Sequence, residues 1–394
     1  MKISVLAFDL SDNSTGRAHL LAQLLAPRHV VSVVGPMFGE SLWPPVRDGG
    51  VHYRAIRGRR YPRFVADLPA LLRLVDGDVI IASKPRPTSF GVGLLARARR
   101  HRPLVLDVDD WELGFFYRAR RWGKVGRFLN LGNPNGLPWT WLMEHLSSRA
   151  DAVTVSSRFL AERFGGTGRS EASVGRAEAP VRRSEAPVLI PHVRDTEAWD
   201  PARFEGAGVR RALGLPRDKV VMFLGTPRRH KGIDDLVEAV ASLANHDVIL
   251  ALVGVEPGTR QARQCAGLPF VRIFPPIAFD DVPRYLSAAD VVAVPQRASM
   301  ETVGQVPAKL FDAMALARPI VSTAVSMIPE ILDGCGVLVE PGDVKALADG
   351  VARLLGDPDG ARRLGQRARE RCIADYSFRA ARARLFPLVE GLRR

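Results

Sequence analysis

The chain has 394 residues, 46% hydrophobic and 25% charged, a composition typical of a folded protein, and at about 100–200 residues per domain it predicts two domains. No apolar run reaches the roughly 18 residues of a membrane span, the N-terminal apolar stretch is too short for a signal peptide, and three dispersed cysteines fit no metal site, so we expect a cytoplasmic protein. The net charge of +14 predicts attraction to an anionic membrane surface or to phosphorylated molecules, although it could also reflect only the base composition of an arginine-rich gene. Because no nucleic-acid-binding motif accompanies the charge, nucleic acid is not an expected partner.

Short apolar runs alternate with helical patterns along the first half of the chain. The runs are rich in valine, isoleucine and leucine, which is typical of strands in a parallel sheet with helices on both faces. The predicted strands are Ile3–Phe8, Val30–Val34, Val79–Ala82, Leu104–Val108 and Ala152–Val155, and the predicted helices are Arg17–Leu25, Pro62–Leu74, Gly91–Arg100 and Leu142–Arg149.

Three imperfect seven-residue repeats follow, RSEASVG, RAEAPVR and RSEAPVL, from 169 to 189. They have neither a helix nor a strand period. Pro180 and Pro187 would break a helix, so a coiled coil is excluded. We interpret 169–188 as a flexible surface insertion.

The alternation begins again in the second half, after a strand at 189–193 and a polar connection at 195–217. Two successive halves of this kind predict two Rossmann-like α/β domains facing a central cleft, with ligands at the carboxyl ends of the strands. The predicted strands are Val220–Leu224, Val248–Val253, Val271–Phe274, Val291–Val294, Ile320–Ser322 and Val337–Val339, and the helices are Ile233–Ala244, Val282–Ala288, Ala308–Ala317, Val344–Leu355 and Asp359–Asp375.

The segment 220–240 contains a strand, a glycine, a basic loop and an amphipathic helix. Gly225 at the strand end permits a turn and the close approach of a ligand. Arg228, Arg229 and Lys231 carry positive charge just before a helix N-terminus, which itself attracts anions. Because arginine and lysine both bind phosphate, this pattern indicates a diphosphate site, although a solvated basic loop would have the same composition.

A second segment, 294–332, contains the start of another helix. Pro307 suits its first turn, and Lys309 and Asp312 lie one turn apart on one face. Backbone N–H groups at the helix start would bind phosphate, and Asp312 would accept hydrogen bonds from ribose hydroxyls. The alternative is an ordinary amphipathic helix with a surface Lys–Asp pair.

Together these two segments resemble the GT-B glycosyltransferases of family 4, the group 1 sugar transferases. In that family a strand ends in G-R-x-x-x-x-K-G, which 225–232 matches except that Thr226 occupies the arginine position. The resemblance therefore implies that Arg228 or Arg229 takes over the role of that arginine at the diphosphate.

The acidic pair of the family, Glu-x7-Glu, is only half present. Asp312 occupies the second position and is followed by AMALARPIV, whereas Gly304 occupies the first, with Glu301 as the nearest acid. The form P-x-K-L-F-D is similar to a variant subgroup. The resemblance implies a donor site formed by Gly225, Arg229, Gln305, Val306, Pro307, Lys309 and Asp312, with Lys231, Arg228 and Glu301 as catalytic candidates.

The first half matches the family more loosely. Ser14–Arg17 resembles the glycine loop that reaches the donor phosphates, which makes Gly16 a donor-binding candidate. Residues 150–165 and 189–201 resemble connecting strands of the family, with His192 in place of an asparagine. The implied domains are 1–203 on the acceptor side, 204–375 for the nucleotide sugar, and 376–394 for a helix that crosses back to the first domain.

Asp109 lies at the end of the fourth strand, where many relatives of the family carry a histidine. It is therefore a catalytic candidate that would orient the acceptor hydroxyl or balance charge, although it could instead cap a helix. Asp107 and Asp109 also have the D-x-D spacing of a metal site. Because the family holds the diphosphate with cations and helix ends, the resemblance implies neither a metal nor a cofactor.

The resemblance implies a retaining glycosyltransferase whose donor is a nucleotide-diphosphate sugar and whose acceptor is a sugar, a lipid-linked molecule or another small molecule. Transfer would be a front-side attack without an enzyme nucleophile, helped by positioning and electrostatic stabilisation. Two alternatives stay open. One is a non-catalytic nucleotide-sugar-binding protein, because the acidic pair is broken, and the other is a sugar-nucleotide epimerase on the same fold, although no epimerase acid/base set is visible.

Basic and aromatic residues interleave between 97 and 143. Such a mixture suits an anionic membrane surface or a lipid-linked acceptor, although the aromatic residues could simply pack within the domain. We therefore expect a cytoplasmic protein that can associate with the inner face of the membrane. The basic residues are Arg97, Arg99, Arg100, Arg102, Arg118, Arg120, Arg121, Lys124 and Arg127, with Phe115, Phe116, Tyr117 and Trp122 among them.

Deletion of 169–188 tests the interpretation of the repeats. We expect the deleted protein to keep its melting temperature and its donor turnover, because the repeats have no apolar face to bury. Calorimetry and a turnover assay measure both. A fall in Tm of more than about 5 °C would mean that the repeats are part of the packed fold.

Overall fold

The computed structural model describes residues 1–47, 49–116, 130–165, 186–215, 219–243 and 247–392. The chain forms two compact units, one of Met1–Pro191 with Ala381–Arg394, the other of His192–Ala380. The division therefore falls at 191/192 rather than 203, and at 380/381 rather than 376. Residues after 191 join the second unit because the backbone of Arg194 bonds with Tyr376 and Phe378.

The first unit contains a seven-stranded parallel sheet in the order β3-β2-β1-β4-β5-β6-β7. Its strands are β1 (Lys2–Leu6), β2 (Val30–Met37), β3 (His52–Arg57), β4 (Val79–Ser83), β5 (Leu104–Val108), β6 (Ala152–Val155) and β7 (Val188–Leu189). Its helices are α1 (Thr15–Leu25), α2 (Arg63–Leu74), α3 (Val92–Arg100), α4 (Leu137–His145) and α5 (Arg158–Phe164).

The second unit contains a six-stranded parallel sheet in the order β10-β9-β8-β11-β12-β13. Its strands are β8 (Lys219–Leu224), β9 (Val248–Val253), β10 (Val271–Phe274), β11 (Val291–Val294), β12 (Ile320–Thr323) and β13 (Val337–Val339). Its helices are α6 (Gly206–Ala212), α7 (Ile233–Ala241), α8 (Arg260–Cys265), α9 (Val282–Ser287), α10 (Ala308–Ala315), α11 (Ile328–Ile331), α12 (Val344–Gly356) and α13 (Pro358–Asp375).

The prediction of two α/β halves with parallel sheets is confirmed. The apolar runs form the central strands, and helices such as α7 and α12 bury their apolar sides against the second sheet. The predicted strand at 189–193 is shorter, since β7 is Val188–Leu189. The repeats up to residue 185 lie outside the described residues, whereas Val188, which the sequence assigned to the insertion, belongs to β7 and pairs with Thr154. The deletion that spares the sheet therefore ends at residue 185.

The last helix, α14 (Phe378–Gly391), passes from the second unit to the first. Its Phe386 ring meets His29 edge-on at 5.8 Å, and Arg28 lies 4.5 Å above the same ring. Arg382 donates to the carbonyl of Leu24 at 3.1 Å. Through these contacts α14 packs against the C-terminal end of α1.

A buried ion pair fixes α1 to the centre of the first sheet. The guanidinium of Arg17 donates twice to the Asp107 carboxylate, at 2.9 and 2.7 Å, and also to the carbonyls of Ile190 and Pro191. Thr154 donates to the same carboxylate at 2.7 Å. Both charged side chains are almost fully buried, so the loss of either one would leave the other as a buried charge without its ion pair.

This pair predicts a large stability difference between two aspartate substitutions. Asp107→Ala should lower the free energy of unfolding by about 3–5 kcal/mol, because it leaves the Arg17 charge buried and unpaired. Asp359→Ala, which removes the partner of the exposed Arg362, should cost less than about 1 kcal/mol. Urea unfolding measures both values, and equal losses would contradict the role of the buried pair.

Candidate functional site

Each sheet has one point where the direction of strand addition reverses. In the second unit β9 and β10 extend the sheet on one side of β8, and β11, β12 and β13 extend it on the other. Open parallel sheets bind ligands at such a point, beyond the carboxyl ends of the strands. The residues there are Gly225, after β8, and Pro295 and Gln296, after β11.

Two lysine side chains converge on Gly225. A Cβ atom built on this glycine would lie 3.3 Å from Nζ of Lys309 and 3.7 Å from Nζ of Lys231. The backbone φ of Gly225 is +127°, a conformation that favours glycine. The absence of a side chain thus leaves space next to two ammonium groups, where an anion can approach the backbone.

Lys309 is an unusual lysine because it is only 8% exposed. Its ammonium lies 3.5 Å from the centre of the Phe223 ring, a cation–π contact. Burial and the charge of Lys231 hold the pKa of Lys309 well below the usual lysine value, and Asp312 opposes this only in part. A negatively charged ligand would therefore stabilise the charged form of Lys309.

Gly232 lets the basic loop approach the neighbouring strand end. It precedes α7 with φ +65°, and a Cβ atom there would lie 1.8 Å from the carbonyl oxygen of Pro295. The N-terminus of α7 therefore begins beside the switch point and adds positive potential there. Nearby, the buried side-chain nitrogen of Gln296 has no hydrogen-bond partner among the residues that the structure describes.

A histidine that the motif did not indicate connects the basic loop to the following loop. His230 Nδ1 lies 2.9 Å from Oε2 of Glu301, and His230 is buried. Burial lowers the pKa of His230, while the Glu301 carboxylate opposes the shift. Arg297 donates its backbone N–H to the carbonyl of His230 at 2.9 Å. Glu301 thus positions the residue next to Lys231.

Asp312 faces an arginine rather than open space. Its carboxylate pairs with Arg194, and it is 3% exposed. The Arg194 guanidinium lies 5.4 Å from the Trp199 ring and 5.2 Å from the Phe279 ring. Asp312 therefore fixes the segment after 191 to α10, and its expected contact with ribose stays a prediction.

The other donor-side candidates differ in their exposure. Arg228, Arg229 and Thr226 are exposed, whereas Val306 is buried and Gln305 is half-buried. Pro307 lies directly before α10 rather than inside its first turn.

The switch point of the first unit lies between β1 and β4, and the residue after β4 is Lys84. Its buried ammonium lies 2.7 Å from Asp109, 2.8 Å from Asp110 and 2.9 Å from Glu112. Burial alone would lower the pKa of Lys84, but the three carboxylates outweigh it and the pKa is raised well above its usual value. The sequence analysis did not identify Lys84.

Asp109 is therefore buried and ion-paired. Burial raises its pKa to about 6, and the charge of Asp110 adds to the rise while Lys84 opposes it. Glu112 also pairs with Arg86, and the charges of Arg86 and Lys84 outweigh burial and lower the pKa of Glu112.

The D-x-D alternative conflicts with this geometry. The Asp107 carboxylate is occupied by Arg17 and Thr154, so it cannot join Asp109 as a metal ligand. Asp109, Asp110 and Glu112 do bring three carboxylate oxygens within 4.8 Å of one another, but Lys84 lies among them. The ammonium thus supplies the positive charge that a divalent ion would supply.

Gly16 lies in the first turn of α1, half-buried, at the end of the loop that follows β1. A Cβ atom there would lie 3.3 Å from the Trp43 ring. The loop is ordered by Thr15, whose hydroxyl donates to the carbonyl of Asp9 at 2.9 Å. The loop thus reaches the switch point of the first unit.

Substitution of Lys84 tests whether its ammonium replaces a metal. We expect about 1 mM Mn²⁺ to leave the Tm of the parent unchanged and to raise that of Lys84→Ala by roughly 3 °C or more, because Asp109, Asp110 and Glu112 then lack the ammonium that they share, although Glu112 keeps a second cation, Arg86. Lys84→Arg keeps the charge and should behave like the parent. Equal stabilisation of parent and Lys84→Ala would identify a metal site in the parent.

No helix in the described part of the chain is long and apolar enough to cross a membrane. Two family models match the sequence, "Glycosyl transferases group 1" over residues 218–357 and "Glycosyl transferase 4-like domain" over residues 14–175.

Two relatives from Mycolicibacterium smegmatis illustrate the similarity. A GDP-mannose-dependent alpha-(1-6)-phosphatidylinositol monomannoside mannosyltransferase is 28% identical over 264 residues, 64% of this chain and 65% of that protein. An alpha-maltose-1-phosphate synthase is 34% identical over 206 residues, 47% of this chain and 51% of that protein. The chain therefore spans about half to two thirds of the length of these relatives.

Solved structures match over nearly the whole chain. Sucrose-phosphate synthase from Thermosynechococcus elongatus has a TM-score of 0.74 at 22% identity, covering 100% of this chain and 99% of that one. Anabaena HepE in complex with UDP-glucose has a TM-score of 0.74 at 17% identity, covering 99% and 100%. Because the fold agrees and the family models match both halves of the sequence, the chain belongs to the group 1 glycosyl transferases of the GT-B fold.

Proposed function

We propose that this protein transfers a sugar from a nucleoside diphosphate to an acceptor hydroxyl with retention of configuration. The observation that carries the proposal is the pair of ammonium groups, Lys231 and Lys309, beside Gly225 at the switch point of the second sheet. Two cations next to a glycine and a helix N-terminus form a site suited to a diphosphate.

In the proposed reaction the acceptor oxygen forms a bond with the anomeric carbon, and the bond from that carbon to the diphosphate oxygen breaks. The acceptor proton passes to the departing diphosphate. Lys231 and Lys309 stabilise the negative charge that develops on the leaving group, which is an electrostatic contribution fixed in advance by the fold.

Lys309 takes the role that the family gives to an arginine at the position of Thr226. Arg228 and Arg229 were expected to replace that arginine, but both are exposed, whereas the ammonium of Lys309 lies beside Gly225. We therefore assign Arg228 and Arg229 a lesser contribution to donor binding, from the loop before α7.

The remaining candidates have positioning roles in this proposal. Glu301 holds His230 and through it the loop of Lys231. Gln305, Val306 and Pro307 form the backbone that precedes α10 and contacts the donor. On the acceptor side, Gly16 contacts the donor phosphates and Asp109, held by Lys84, orients the acceptor hydroxyl. No metal or cofactor has a role in these steps.

The relatives suggest which donors to test. One is described as GDP-mannose-dependent, and one similar structure holds UDP-glucose, so UDP- and GDP-sugars are the first donors to compare. We propose a sugar, a lipid-linked molecule or another small molecule as acceptor, in the cytoplasm or at the inner face of an anionic membrane. A non-catalytic nucleotide-sugar-binding protein is the alternative that the same assay separates.

Lysine substitutions test the diphosphate site. Lys231→Ala and Lys309→Met should each lower the release of nucleoside diphosphate from the preferred sugar nucleotide by about 100-fold, equivalent to about 3 kcal/mol of lost stabilisation. Arg228→Ala and Arg229→Ala should each lower it by less than about 10-fold, because these side chains are exposed. Arg363→Ala, on α13, is the matched control for loss of one positive charge.

The same panel of UDP-, GDP- and dTDP-sugars distinguishes the alternatives. Turnover that survives in both lysine variants would mean that the diphosphate binds elsewhere. Calorimetric binding of a nucleoside diphosphate without any turnover of its sugar would favour the non-catalytic alternative. Interconversion of free sugar nucleotides without transfer would favour the epimerase.

A further inference from the structure

The loop between β3 and α2 carries an exposed arginine cluster. Its arginines surround a surface cavity of about 680 Å³. The acid closest in sequence is Asp67, which pairs with Arg59 only. Within the described residues no acid pairs with the other arginines of this cluster, so the loop keeps a net positive charge. The cluster, here called the arginine surface, consists of Arg57, Arg59, Arg60 and Arg63.

The arginine surface is fixed to the segment before α4. Tyr61 donates its backbone N–H to the carbonyl of Gly132 at 3.0 Å, and its ring lies 5.3 Å from that of Trp139. Trp139 Nε1 in turn donates to the carbonyl of Leu131 at 2.9 Å. The two segments therefore present one continuous surface.

Large apolar side chains are exposed at Leu131, in the segment before α4, and on α2 and α4, the helices that follow the two segments. Val65 on α2 is 55% exposed, Leu131 54%, Trp141 48% and Leu142 37%. Exposed leucine and tryptophan next to arginine are typical of surfaces that enter the headgroup region of a bilayer, where amphipathic side chains are stable. An enclosed site for a small soluble anion would not need exposed apolar residues.

The basic residues at 97–102, which the sequence favoured for membrane contact, are partly occupied within the protein. Arg97 pairs with Asp151 at 2.7 Å, and Arg102 donates to the carbonyl of Gly77 at 2.6 Å. The predicted basic residues from 118 to 127 lie outside the described part of the chain. The arginine surface is thus the better supported basic surface.

We infer that the arginine surface and the exposed residues at 131–142 bind an anionic phospholipid bilayer, with the arginines contacting lipid phosphates. This inference rests on the membrane contact proposed above and not on the transfer reaction. Arg57 ends the edge strand β3, three strands from β4. At about 4.8 Å per strand, bound lipid would lie about 14 Å along the sheet edge from Lys84, on the acceptor side.

Vesicle sedimentation of the full chain tests the inference. The protein should bind phosphatidylcholine vesicles that contain phosphatidylglycerol, and bind phosphatidylcholine alone much more weakly. The triple variant Arg57→Gln, Arg60→Gln, Arg63→Gln should bind about 100-fold more weakly, since each basic residue near an anionic surface contributes about fivefold. A matched triple, Arg353→Gln, Arg363→Gln, Arg367→Gln, removes the same charge from exposed positions of the second unit and should bind like the parent.

Two further measurements identify the source of the phosphate. Inorganic phosphate that replaces part of the salt, so that the ionic strength stays constant, should not displace the protein from vesicles. Leu131→Ser should weaken vesicle binding severalfold without affecting phosphate binding. Displacement by phosphate together with an unaffected Leu131→Ser variant would overturn the lipid assignment in favour of a soluble phosphate ligand. Equal weakening in both triple variants would overturn the assignment of the surface.

Donor hydrolysis is measured on the same variants. The arginine triple should retain the parent rate of nucleoside diphosphate release, because the diphosphate site lies in the other unit. Loss of vesicle binding with intact hydrolysis supports the membrane surface. A protein that hydrolyses no sugar nucleotide yet binds anionic vesicles through the arginine surface contradicts the proposed reaction and leaves this inference intact.

Discussion

Two basic side chains brought to one glycine are the constraint around which the second unit is built. The ammonium groups of Lys231 and Lys309 lie 3.7 and 3.3 Å from a Cβ atom built on Gly225, so they are at most about 7 Å apart, and as two charges they would repel each other by at least about 2 kcal/mol at an effective dielectric of 20. The Phe223 ring compensates Lys309 only in part. An anion with two charged oxygens would compensate both ammonium charges, which supports the diphosphate site proposed above.

The surrounding contacts hold these charges where the repulsion would otherwise separate them. Gly232 allows the basic loop to lie against Pro295, and the His230–Glu301 pair fixes the loop from its other side. Asp312, paired with Arg194, secures the helix that carries Lys309. In the first unit the like charges are negative, and the ammonium of Lys84 lies among three carboxylates and pairs with each of them.

The sequence predicted the elements that a local residue pattern defines, and it missed contacts that form only when particular strands are neighbours in a sheet. Central strands were recognisable as apolar runs, but β3 reads HYRAIR and lies at the sheet edge, so no such run marks it. Lys231 and Lys309 both stood in motifs, but their approach to the same glycine, Gly225, requires β8 and β11 to be adjacent and so could not be read from either motif. Lys84 belongs to no motif and has a φ of +72°, and only the pairing of β4 with β5 brings it to the acidic residues.

The path of α14 has a consequence for how the protein forms during synthesis. The first unit is completed by residues 381–392, which the ribosome adds only after all of the second unit. Until then the surface of α1 near Leu24 and His29 lacks the Phe386 ring and the Arg382 hydrogen bond. The nascent first unit therefore exposes apolar surface while the second unit folds, and a truncation that removes residues 381–392 would destabilise the first unit although it leaves the first sheet intact.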